Sequence, residues 1–283
     1  MIRFISLFLL TIFSLEAKGL ALIVANDEVF NTDEQLSAGF EIRYCHNPYW
    51  AFHTGLDVYT PKNKTTKEPL PGERPYNSWM YFGGSYQNEL KSLPLLFTLN
   101  LDLGVRGPKA KGEELQNGAH KFFDANKVNG WDSETEHEYG ALSSAIFEFG
   151  LLTSLDTSIQ KHMQLSLIAE ANVGTIVESY SSGINMLIGI HTPKYYTSRV
   201  TPRKSALYLL AKIQTIHVNK NNFLDGNSGY NVKKTDHIKR YDIGINVDID
   251  FYRIRLMATT MSREFTTQYK EHRYATLELG FTF

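Results

Sequence analysis

The chain has 283 residues, 42% of them hydrophobic and 13% aromatic, ample for one large domain or two small ones. Its 29 basic and 30 acidic side chains leave a net charge of −1, which excludes a general electrostatic attraction to nucleic acid. The single cysteine, Cys45, excludes an internal disulfide, a CxxC pair and a zinc knuckle.

In chain order, Met1-Ile2-Arg3 is a short cationic start, Phe4 to Phe13 is apolar, and Ser14 to Ala17 offers a small-residue cleavage point before Lys18. This predicts a secretory signal peptide over 1–17 and a mature domain over 18–283. The apolar run is too short for an uncleaved anchor, which needs about 20 residues as helix. No later window approaches 18 consecutive apolar residues.

Alternation and turn chemistry predict twelve strands, near 20–27, 36–45, 50–59, 77–87, 95–106, 138–150, 161–173, 181–191, 205–218, 238–249, 251–263 and 272–283. In "YDIGINVDID", Ile243, Ile245, Val247 and Ile249 share one face and Asp242, Asn246 and Asp248 the other. The final "YATLELGFTF" sets Leu277, Leu279, Phe281 and Phe283 on one face. That ending resembles the last strand of bacterial outer-membrane barrels, apolar toward lipid and polar toward the lumen. With export and 16 Tyr and 17 Phe for interfacial girdles, the expected fold is an all-β, twelve-stranded antiparallel transmembrane barrel. With both ends periplasmic, 28–35, 60–76, 107–137, 174–180, 219–237 and 264–271 connect strands on the outer side. The periplasmic connection 192–204 is longer than such a turn should be.

Asn26-Asp27, Ser37 and the long "GPKAKGEELQNGAHKFFDANKVNGWD" connection then fall at one end of the barrel. Asn-Asp after an apolar run is ordinarily a turn signal, and a histidine in such a loop is ordinarily solvated. The motifs "ANDE" (25–28), "SAG" (37–39), "DVYTP" (57–61), "GERPYNSW" (72–79), "LGVRGPKAKGEELQNGAH" (103–120) and "NGWD" (129–132) occur in an order that resembles the outer-membrane lipid A 3'-O-deacylases of the LpxR type. The resemblance covers roughly the first half of the chain.

The resemblance implies a twelve-stranded barrel in the outer membrane, inserted by the barrel-assembly machinery. It also implies hydrolysis of the 3'-linked acyloxyacyl group of lipid A, in lipopolysaccharide, at the outer leaflet, with a histidine base and Ca2+. On that reading His120 takes a proton from water, help worth about 10²–10⁴-fold. Asn26 and Asp27 offer the oxygens a hard cation prefers, although oxygen ligands alone would also admit magnesium or manganese. Ser37 matches a hydroxyl position of the family site. The family can carry a glutamate six residues after the histidine; here that residue is Asn126, with Asp124 two earlier as a substitute. Lys62, Lys64, Lys67 and Arg74 suit an anionic substrate, though such a run is commonly only a solvated loop.

Three rival functions fit such a barrel: a pore, an outer-membrane phospholipase A, and an adhesin or phage receptor. A pore does not explain amide, carboxylate, hydroxyl and imidazole gathered at one rim, and the phospholipase's serine-histidine-asparagine pattern is not visible.

Overall fold

Twelve strands follow from the alternation among the described residues. The computed structural model describes residues 19–30, 34–64, 66–67, 71–90, 92–122, 124, 127–152, 161–199, 205–224 and 232–283. The strands are β1 (Gly19–Asn26), β2 (Gln35–Cys45), β3 (Trp50–Thr60), β4 (Asn77–Leu90), β5 (Leu95–Arg106), β6 (Glu138–Gly150), β7 (Met163–Gly174), β8 (Val177–Ile190), β9 (Ala206–Asn221), β10 (His237–Ile249), β11 (Tyr252–Met261) and β12 (His272–Phe281). One α-helix, α1 (Gly112–Phe122), interrupts the series between β5 and β6. The expected signal peptide, 1–17, lies outside the described residues.

Each strand pairs antiparallel with its sequence neighbours, and β1 pairs with β12, from Leu20 opposite Phe281 to Asn26 opposite Ala275, so the sheet closes. Closure removes every free strand edge, which hydrocarbon requires because it cannot satisfy exposed backbone N–H and C=O groups.

The period of two decides which side chains meet lipid. On β10, Ile243 is 68% exposed while Asp242 and Asn246 are each 1% exposed. Isoleucines therefore face outward and carboxylate and amide face the lumen, where Asp242 meets Lys212 at 2.7 Å and Thr259 Oγ1 at 2.6 Å. A lysine or arginine at Ile243 would cost about 2–4 kcal/mol if it lay at the bilayer midplane.

Two connections differ from expectation. β8 begins at Val177 rather than near 181, because "VESYSS" pairs with β9 despite its polar composition. The long connection 192–204 is not a plain turn: within it, 195–199 enters the barrel. Tyr196 N and Thr197 N donate to Glu148 at 3.0 and 2.9 Å, and Thr197 Oγ1 donates to the same carboxylate at 2.7 Å.

Candidate functional site

At the rim opposite that plug, β1 ends in a side-chain-made turn. The Asn26 amide oxygen accepts the Glu28 N–H at 2.6 Å, an Asx turn, while its Nδ2 donates to the Ser37 carbonyl at 2.7 Å. Asp27 has no solvent exposure, and its Oδ2 accepts the Glu34 N–H at 2.7 Å. Asn26 thus fastens the end of β1 to the start of β2.

Ser37 itself sits at a break in register: Leu36 pairs with Tyr59 and Ala38 with Val58, leaving Ser37 as the extra residue. Such a bulge bends the strand and re-aims a side chain. Its Oγ shares a short hydrogen bond with the Thr60 hydroxyl at the end of β3. The alternation showed a strand here but could not show the bulge.

The helix carrying His120 is held by packing on β3 and β4. Gly112 permits the approach: a Cβ there would lie 2.5 Å from the Ser78 Cβ. Gln116, 3% exposed, accepts the Trp131 indole N–H at 3.0 Å, and Asn117 Oδ1 accepts the Val128 N–H at 3.0 Å. Trp131 packs with Val58, Tyr76 and Val128, so it is a core residue here and not an interfacial anchor. Glu134 lies beneath, accepting from Ser78 Oγ at 2.6 Å. Burial pushes its carboxyl up to about 7, although the Ser78 bond opposes the rise. His120 stands four residues after Gln116, on the same side of the helix, and is partly exposed.

The four basic candidates divide. Lys62 and Lys67 are exposed, and Lys62 Nζ lies 4.5 Å from the centre of the Tyr269 ring. Lys64 is partly exposed as a residue, but its Nζ is buried. Arg74 departs from the group: it is 1% exposed and points inward. Its Nη1 donates to Gln35 Oε1 at 2.9 Å and lies 3.5 Å from Glu264 Oε2, with the guanidinium 4.7 Å from the Tyr59 ring centre. A charge so enclosed is not on the surface with the lysines. Glu264 also lies 3.7 Å from His272 Nδ1, and His272 Nε2 accepts the Leu36 N–H at 3.3 Å. Tyr59, Glu264 and His272 line a lumen cavity of about 430 Å³ together with Asp57 and Asp102. Gln35, Glu264 and His272 were not legible as site residues because their partners are remote in sequence.

For a cation the donor chemistry fits in kind but not in number. Asn26, Asp27 and the Ser37 carbonyl are oxygen donors, as a hard ion needs. Among the described residues, however, no three His, Cys, Asp or Glu side chains converge to hold a metal. Asp124 follows the helix in the left-handed region, φ 57, and Asn126 lies outside the described residues.

Comparison with known proteins returns the family described as "Outer membrane protein LpxR", matched over residues 45–283. Among solved structures, LpxR from Salmonella typhimurium superposes with a TM-score of 0.83 at 21% identity, over 94% of this chain and 100% of that one. The β domain of the Bordetella autotransporter BrkA has a TM-score of 0.48 at 9% identity, over 95% and 99%. No curated protein sequence matches the chain. A family match over most of the chain, on a closed barrel with an apolar outer face, has one meaning: the chain belongs to the LpxR family of outer-membrane proteins.

Proposed function

We propose that the chain is a lipid A 3'-O-deacylase that remodels lipopolysaccharide at the outer leaflet, its bulged rim facing outward. The observation that carries this reading is the bulge at Ser37, tied by Asn26 to the end of β1 in a chain of the LpxR family. A hydroxyl lifted out of register at a rim that also buries the Asp27 carboxylate is what a site needs, and what a plain barrel wall does not.

On this reading His120, neutral, takes a proton from water, and the hydroxide formed adds to the 3' ester carbonyl. The tetrahedral intermediate collapses by breaking the bond to the sugar oxygen, which recovers the proton from the imidazolium. The products are the acyloxyacyl acid and a free 3' hydroxyl. Ser37 orients the ester, with Thr60 and Asn26 fixing its direction. Lys62 and Lys67 pair with the phosphates and acidic sugars of the substrate.

Asn26 and Asp27, with Asp124 or Asn126, would hold Ca2+, which when bound polarises an ester carbonyl and steadies the oxyanion that develops. With Asp27 as the one buried carboxylate among these described donors, such a site would bind the ion more weakly than one carrying several.

Mass spectrometry of lipid A decides the reading. A Gram-negative host expressing the chain should lose the mass of the 3'-linked acyl substituents, and a host expressing His120→Ala at equal membrane level should not. Unaltered lipid A with a folded barrel and calcium supplied would sink it.

A further inference from the structure

The bulge that presents Ser37 has to be held from somewhere, because the residue before Leu36 is strained. Gln35 has φ 74, a left-handed conformation that a non-glycine residue keeps only when its surroundings impose it. Ser37 has no cross-strand partner in the β2–β3 ladder, so ladder pairing with β3 does not fix it.

Two holds come from inside the lumen. The Leu36 N–H donates to His272 Nε2 at 3.3 Å, and the Gln35 side chain accepts from Arg74 Nη1 at 2.9 Å. Both donors and acceptors lead to one carboxylate. Glu264 Oε2 lies 3.5 Å from Arg74 Nη1 and 3.7 Å from His272 Nδ1. A ring nitrogen that accepts carries no proton, so the neutral His272 ring has its proton on Nδ1, the side facing Glu264. The carboxylate's charge, 3.7 Å from Nδ1 and outside hydrogen-bond distance, favours the tautomer that can accept from Leu36, and its contact with Arg74 aims the guanidinium that holds Gln35. Arg74 and His272 are 1% and 3% exposed. Burial alone would raise the Glu264 carboxyl, but the His272 N–H and the Arg74 charge beside it bring it down to about 2.

We propose that Glu264 and His272 are positioning residues for Ser37, holding the β2 bulge from the lumen through the Leu36 amide and the Gln35 side chain. The proposal rests on the reading of Ser37 as a substrate-site hydroxyl and assigns its geometry to residues some 230 positions away in sequence, as the Leu36–His272 separation of 236 shows.

The test uses full-length protein in outer-membrane vesicles, with the electrophoretic shift on heating as the control for a folded barrel. Two readouts are taken: hydrogen exchange of the peptide spanning 35–38, and kcat and KM for release of the 3' acyl group. Removing a charge-assisted partner from a buried bond should speed exchange and lower kcat by about tenfold or more in Glu264→Gln, with KM roughly unchanged. His272→Leu should behave likewise, while His272→Gln, whose amide oxygen can accept from Leu36, should stay within about threefold of the unaltered protein. Exchange at 35–38 that is unchanged in both Glu264→Gln and His272→Leu overturns the proposal, as does a rise spread evenly over all strands. If the unaltered protein releases no acyl group, the deacylase reading falls, and the exchange measurement still decides whether the clamp exists.

Discussion

The two ends of the lumen are closed to different degrees, one by an inserted segment and the other by a helix at the rim. At the plugged end, Glu148, 1% exposed, collects Tyr196 N, Thr197 N, Thr197 Oγ1 and Ser166 Oγ. Gln87 receives the Arg199 N–H at 3.1 Å, and Arg255 and Arg253 donate to the Tyr196 and Ser198 carbonyls at 3.2 and 3.3 Å. That end is a seal in which backbone and side chains largely serve one another, although Arg255 Nε, the Tyr208 hydroxyl and Asn185 Oδ1 are buried there with no hydrogen-bond partner among the described residues. At the other end, both polar atoms of the Asn77 amide and the Gln116 Nε2 are buried with no hydrogen-bond partner among the described residues. Buried groups left so are expensive in a structural role. What separates the ends is the segment 195–199, which fills one of them and weighs against an open pore.

Changes at either end should separate these roles. If the proposed deacylation holds, the largest effect should be its loss in His120→Ala, by about 10²-fold or more, with no change in barrel stability. Glu148→Ala should do the reverse. It removes one acceptor from five donors, Asn185 Nδ2 being the fifth, and should destabilise the barrel by on the order of 3 kcal/mol, read by urea unfolding in lipid vesicles, and raise single-channel conductance while leaving the site's residues in place. A conductance no different from the unaltered protein would mean that 195–199 stays seated without Glu148. Smaller still, Lys62→Ala with Lys67→Ala should raise KM for lipid A by about three- to tenfold without lowering kcat, in keeping with about 0–1 kcal/mol for each exposed ion pair. A fall in kcat instead would place these lysines at the reacting ester.

The smallest effect is one of pH. Glu134 is protonated in the fold up to about 7, whereas in the unfolded chain it ionises in the ordinary carboxylate range. Between those values the fold binds the extra proton, so its stability falls as pH rises, and the full penalty is present above about 7. Hydrogen exchange in α1, corrected for its intrinsic pH dependence, should therefore be slower at pH 5 than at pH 8, and the difference should vanish in Glu134→Gln. An unchanged pH dependence in Glu134→Gln would mean that another group sets it.

How much could be read beforehand follows the range of the interactions. The barrel was legible because its signal is local: Ile243 and Ile245 alternate with Asp242, Gly244 and Asn246 whatever lies across the sheet. β8 was entered late because Ser and Glu in "VESYSS" look like a loop until β9 is set beside them. Asn26 and Ser37 were singled out as site residues, and a direct hydrogen bond joins them. What holds them was not legible, since Arg74 was read with the surface lysines and its carboxylate lies 190 positions away. The extra residue at Ser37 was equally hidden, because a bulge is a property of two strands and a sequence shows one at a time.

The β1–β12 seam has a consequence in time. Asn26 lies on the first strand, Leu36 on the second and His272 on the last, so the rim cluster is shared between the earliest and latest parts of the chain to be synthesised. Until the seam zips, from Leu20 against Phe281 to Asn26 against Ala275, the amide of Leu36 has no ring to meet. Before that closure the cluster cannot exist, and the rim comes into being only with the final pairing.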